Sequence, residues 1–82
     1  MARFMDVHTG MQGLTLEQLA AAHAGDLALQ DEEHVSFEHA WADPMSGTVF
    51  CISEAPDAEA IRRVHTRNGI PPAEIHELQL EV

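Results

Sequence analysis

Residues 32–41 read Glu32-Glu33-His34-Val35-Ser36-Phe37-Glu38-His39-Ala40-Trp41. From Val35 the chain alternates with period two. Val35, Phe37, His39 and Trp41 fall on one face, and Ser36, Glu38 and Ala40 on the other, the pattern of a strand running to about Ala42. Asp43-Pro44-Met45-Ser46-Gly47 follows as a tight turn, with Pro setting one φ and Gly permitting a positive one. Thr48 to Glu54 is the returning strand, so the two strands form a hairpin. The same ten residues hold two histidines and three glutamates. They therefore read equally as plain strand and as a source of metal ligands.

On the N-terminal side of the hairpin, Thr15 with Gln18 three residues later is a capping box. It opens a helix in which Leu16, Leu19, Ala20, His23 and Leu27 share one face, ending near Gln30. Gly25 weakens this helix by about 1 kcal/mol relative to alanine without ending it. Before it, Arg3 to His8 is a first strand, with Phe4, Asp6 and His8 on one face and Arg3, Met5 and Val7 on the other. Beyond the hairpin, Asp57 caps a second helix with Ile61, Val64 and His65 inward. Asn68-Gly69 and Pro71-Pro72 stop that helix, and Ile75 to Val82 is a last strand.

The order β-α-β-β-α-β predicts a single ferredoxin-like α+β domain over residues 1–82: a four-stranded antiparallel sheet with two helices on one face. The other face has no cover within the chain. Assigning Met5, Val7, Leu78 and Leu80 to the helices sends Phe4, Asp6, His8, Val35, Phe37, His39, Trp41, Ile75 and Glu77 to the open face. So much exposed apolar surface calls for a two-fold partner, and a homodimer is expected. A different register on the second strand brings His34 and Glu38 to the open side instead.

Composition bounds the function. A chain of 82 residues buries only about 60–65% of its extended surface, so a metal or a partner subunit commonly supplements its core. Cys51 is the sole cysteine, which excludes an intrachain disulfide and a Cys-rich zinc site and suits a reducing compartment. The N-terminal Met-Ala-Arg-Phe-Met-Asp lacks the apolar core of a leader, so a cytoplasmic location is expected. No apolar run approaches the roughly 18 residues of a membrane helix. The net charge of −10, with fourteen acidic residues against four arginines, disfavours nucleic acid and anionic membranes and attracts cations.

Asp6 and His8, two apart on a strand, leave one face and can share an ion, and His39 on a neighbouring strand is a candidate third ligand. Glu33, His34 and Glu38 are further candidates, with a solvated acidic edge as the alternative. His65 is either a ligand or a packed helix histidine; His23 and His76 read as structural, and Cys51 as a small core hydrophobe. Imidazole with carboxylate suits nickel, copper and zinc, and affinity alone ranks copper above nickel. The absence of nucleophile, phosphate-loop or cofactor motifs favours a non-catalytic protein. A small-molecule-binding protein or enzyme with a cavity between paired sheets is the alternative.

The segments Phe4-Met5-Asp6-Val7-His8, Glu33-His34, Phe37-Glu38-His39-Ala40-Trp41 and Ser53-Glu54-Ala55-Pro56-Asp57-Ala58-Glu59-Ala60 resemble a family of small bacterial nickel-binding proteins, formerly a domain of unknown function. The resemblance spans nearly the whole chain. It implies a ferredoxin-like homodimer that binds nickel at or near its interface as buffer, carrier or sensor.

Overall fold

A computed structural model describes all residues 1–82. The elements are β1 (Ala2–His8), α1 (Leu16–Leu29) followed by a 3-10 turn (Gln30–Glu33), β2 (Ser36–Asp43), β3 (Thr48–Ala55), α2 (Ala58–Arg67) and β4 (Glu74–Glu77). The strands form one antiparallel sheet in the order β2-β3-β1-β4. Both helices pack on one face, giving the ferredoxin-like α+β fold. Both expected caps form. Thr15 and Gln18 bond reciprocally in a capping box, and the Asp57 carboxylate accepts from the Ala60 N–H at 2.9 Å.

The face assignment differs from the sequence expectation. Directly opposed residues of an antiparallel pair share a face. The rows Phe4–Ser53–Phe37 and Asp6–Cys51–Ala40 face the helices, while Met5–Ile52–His39 and Val7–Phe50–Trp41 face away. Phe4, Val35 and Phe37 join Ala55, Ala60, Ile61 and Val64 in the apolar core, with Ile75 packed against it. Phe4, Asp6, His8, Val35, Phe37 and Ile75 are therefore inside, and Met5 and Val7 are on the open face.

A β-bulge explains how Phe37 and His39 part company. Phe37 pairs with Ser53 and His39 with Ile52, so Glu38 is an extra residue. The bulge reverses the alternation midway along β2, keeping Phe37 in the core and turning His39 and Trp41 out. The Phe37 N–H is satisfied by the Gln30 side-chain carbonyl at 3.0 Å, so the edge strand carries no buried orphan there.

Two other expectations change. On α1, Leu16 and Leu27 are exposed, and the sole fully buried residue is Asp26. β4 ends at Glu77, where the Leu78 N–H bonds the Arg3 carbonyl, and Leu80 is exposed. No helix is long and apolar enough to cross a membrane.

The interior is consequently divided. One end is apolar. At the other, Asp6, His8, Asp26 and His65 are buried together. A misaligned or unpaired polar group in such a place costs about 1–3 kcal/mol. A domain this small has little hydrophobic surplus to offset several of them.

Candidate metal centre

Four elements converge on one point. β1 presents Asp6 and His8 on the same face, two residues apart. β3 places Cys51 directly opposite Asp6 in the ladder. α2 brings His65 inward one turn after Ile61, and α1 brings Asp26. One potential ligand atom from each of Asp6, His8, Cys51 and His65 lies within 4.8 Å of the other three, and all four residues are buried.

The contacts are close but unusual. His8 Nε2 stands 2.8 Å and His65 Nε2 3.0 Å from the same Asp6 oxygen, Oδ1. Yet both Asp6 oxygens, His65 Nε2 and His8 Nδ1 lack an aligned hydrogen-bond partner. By distance these are ion pairs; by direction they are not hydrogen bonds. The rings meet edge to face, with centroids 4.6 Å apart and planes at 89°.

The other edge of His65 is fully engaged. Nδ1 lies 3.1 Å from Asp26 Oδ1 in hydrogen-bond geometry. A carboxylate only accepts, so Nδ1 carries the proton and Nε2 is left facing Asp6 and Cys51. The Asn68 side-chain amide donates to the same Asp26 oxygen at 3.1 Å and to the Ala22 carbonyl at 2.9 Å.

Electrostatics follow from this crowding. Burial alone lowers the pKa of His65, but Asp26 at one ring nitrogen and Asp6 at the other outweigh it, holding His65 up at about 11. Burial also lowers that of His8, and Asp6 outweighs it to hold His8 up at about 9. For Asp6, burial raises the pKa, but the two imidazoles win and hold the carboxyl below its ordinary range. Without a metal, both rings carry a second proton at neutral pH.

These residues fit a metal ion. Two ligands of one first-row ion, each about 2.0–2.3 Å from it, stand at most about 4.6 Å apart. The four ligand atoms here all lie within 4.8 Å of one another, close to that limit. The donor set of two imidazoles, a carboxylate and a thiol suits nickel, copper or zinc, whose borderline character accepts nitrogen and sulfur together. A cavity of about 20 Å³ adjoins the cluster, bounded by Leu14, Leu19, His23 and Ile70. It has room for a single water.

Of the sequence candidates, the structure brings Asp6, His8 and His65 together. Glu33, His34, Glu38 and His39 lie elsewhere. Glu33 bonds Arg63 at 2.9 Å, and Glu38 meets Arg3 at 3.2 Å. His34 is exposed in the left-handed region at φ 58°, ending the 3-10 turn. His39 is exposed on the open face, stacked on Trp41 with centroids 5.5 Å apart. His76 is exposed beside Glu74. Sequence reasoning missed Cys51 as a partner of the cluster, and Asp26 altogether. The first-strand pairing that sets Cys51 against Asp6 was the available signal. For Asp26 it was a carboxylate next to a helix-interior glycine.

A family model described as "Nickel responsive protein SCO4226-like" matches residues 4–78. The crystal structure of SCO4226 from Streptomyces coelicolor A3(2) superposes with a TM-score of 0.97 at 57% sequence identity, covering 99% of this chain and 100% of that one. No curated protein matches the chain. With a match over nearly its full length and a buried cluster of metal-ligand residues at its centre, the chain belongs to the SCO4226-like family of nickel responsive proteins.

Proposed function

We propose that the protein binds a divalent transition-metal ion, nickel by the description of its family, and acts as a buffer, carrier or sensor of that ion. Asp6, His8, Cys51 and His65 hold it. The observation that carries the reading is the close approach of two imidazole nitrogens to one buried carboxylate oxygen with no aligned hydrogen bond between them. Donor atoms gathered within 4.8 Å of one another without bonding each other are what a cation requires.

Charge supports the same reading. Two carboxylates, Asp6 and Asp26, face two imidazoles. Two protons neutralise the group, and so does one divalent ion with both rings neutral. The site thus exchanges protons for metal, the Cys51 thiol giving up its own proton when it ligates. The bound ion supplies positive charge that ties β1, β3 and α2 together, which suits retention and signalling rather than turnover.

The protein pairs as a homodimer through the open face. Trp41 is 52% exposed there, with Met5 and Phe50 half-buried beside it, while Val7 and Ile52 are already buried within the chain. Light scattering should give twice the chain mass, and Trp41→Glu should halve it. The free buried thiol of Cys51 suits the reducing cytoplasm.

Titration of chelator-treated protein with nickel, and separately with copper and zinc, tests the proposal. His8→Ala and His65→Ala should each abolish tight binding, while His34→Ala and His39→Ala retain it. Loss confined to the His34 or His39 variants would refute the buried site.

A further inference from the structure

We infer that Asp26 is a positioning residue for the metal centre, fixing the tautomer and ring angle of His65 so that Nε2 is its ligand atom, with Asn68 in turn holding Asp26. The inference rests on the proposed metal site.

Three observations carry it. First, Asp26 occupies the edge of His65 opposite the cluster: its oxygen is 3.1 Å from Nδ1, whereas Asp6, the nearest cluster oxygen, is 3.0 Å from Nε2. The two ring nitrogens diverge, so a carboxylate on Nδ1 cannot share an ion held at Nε2. Asp26 serves the ligand without being one. Second, α1 buries this carboxylate and no other residue of its length. A buried carboxylate is costly unless it is paired and hydrogen-bonded, and its partners here are His65 and Asn68 alone. Third, room is kept for the clamp. Gly25 lies under the Asn68 amide, and a Cβ at position 25 would overlap it. Asn68 spans from the Ala22 carbonyl to Asp26, so the amide is fixed between α1 and the end of α2.

The chain is therefore Gly25 making space, Asn68 gripping, Asp26 accepting and His65 presenting Nε2. Outer groups of this kind raise ligand basicity and orient the ring, and losing one typically weakens metal affinity about 10–100-fold.

The test compares wild type with Asp26→Leu, which keeps the branched shape but removes the acceptor, and Asp26→Asn, which keeps an acceptor oxygen without the charge. Nickel affinity is measured by calorimetry. His65 is followed in zinc-loaded, nitrogen-15-labelled protein by long-range proton–nitrogen NMR, which reads tautomer and metallated nitrogen directly. Asp26→Leu is expected to weaken nickel about 10–100-fold and to lose the single Nδ1-protonated, Nε2-metallated signature. Asp26→Asn should keep that signature and recover part of the affinity, which a merely space-filling role does not predict. Wild-type affinity and an unchanged His65 spectrum in Asp26→Leu would overturn the inference. Should that variant not fold, Asn68→Ala decides: several-fold weaker binding supports it, and unchanged binding overturns it. Wild-type protein that fails to bind nickel sinks the metal site itself, a result distinct from a variant that binds as well as wild type.

Discussion

His65 Nε2 lies 3.0 Å from Asp6 Oδ1, joining a helix to a central strand through two buried groups that approach without hydrogen-bond alignment. A proton between them supplies charge but not direction. A metal ion would supply both, and the behaviour of the protein with pH follows from which of them is present.

In metal-free protein, both histidines titrate above the ordinary imidazole value of about 6.5, His8 at about 9 and His65 at about 11. A raised folded-state pKa stabilises fully below the unfolded value and loses that stabilisation as pH rises through the folded one. Thermal melts should therefore fall in Tm from pH 7 through 9 and on towards 11. Asp6 is depressed, so its contribution is present above the ordinary carboxyl range and lost as pH falls through the lowered value. Nickel affinity should run the other way, strengthening with pH because each imidazole must shed a proton to ligate. Calorimetry at pH 7 in buffers of different ionisation enthalpy should report about three protons released per ion, one from each imidazole and one from the Cys51 thiol; a release near zero would contradict the assignment.

Cys51→Ala tests the thiol. The variant should fold, because a small apolar residue suits the site. It should bind nickel more weakly and lose the near-ultraviolet charge-transfer absorption of a nickel–thiolate bond. An unchanged spectrum would remove Cys51 from the ligand set.

Deleting Glu38 removes the bulge. Phe37 and His39 then become neighbours in a regular ladder against Ser53 and Ile52, so Phe37 and Ala40 stay inside and His39 and Trp41 stay outside. Unfolding free energy should therefore fall by no more than about 1 kcal/mol, the scale of the exposed Arg3 pair lost with Glu38. Replacing Glu38 with alanine keeps the bulge and loses only the Arg3 pair, and should cost no more than about 1 kcal/mol. Urea unfolding of both variants measures the two costs.

Gly25→Ala separates local propensity from the clamp. Alanine favours a helix interior by about 1 kcal/mol over glycine, so propensity alone predicts a more stable protein. The added Cβ instead displaces the Asn68 amide, releasing Asp26. The variant should be no more stable than wild type and should bind nickel more weakly. A more stable variant with full affinity would show that Asn68 grips nothing of consequence.

Element order and caps were legible because they are local: Thr15 with Gln18, Asp57, and the turn at Asp43–Gly47 act over a few residues. The facing of the strands was not. Period two gives two faces without saying which is inside, and Phe4 with Asp6 fits either choice. The bulge at Glu38 is a property of pairing with β3 that β2 alone does not encode. Reading Val35, Phe37, His39 and Trp41 as one face therefore carried His39 into the ligand set beside Asp6. His65 was legible as an inward residue of α2, but its partners depend on the sheet register. Asp26 stayed hidden because a carboxylate on a helix ordinarily means a solvated face.

The most direct measurement is anomalous diffraction at the nickel absorption edge from crystals of nickel-loaded protein. One strong peak per protomer is expected in the buried space between Asp6, His8, Cys51 and His65, with His65 ligating through Nε2. Peaks only at exposed His34, His39 or His76, with the buried cluster unchanged, would contradict it.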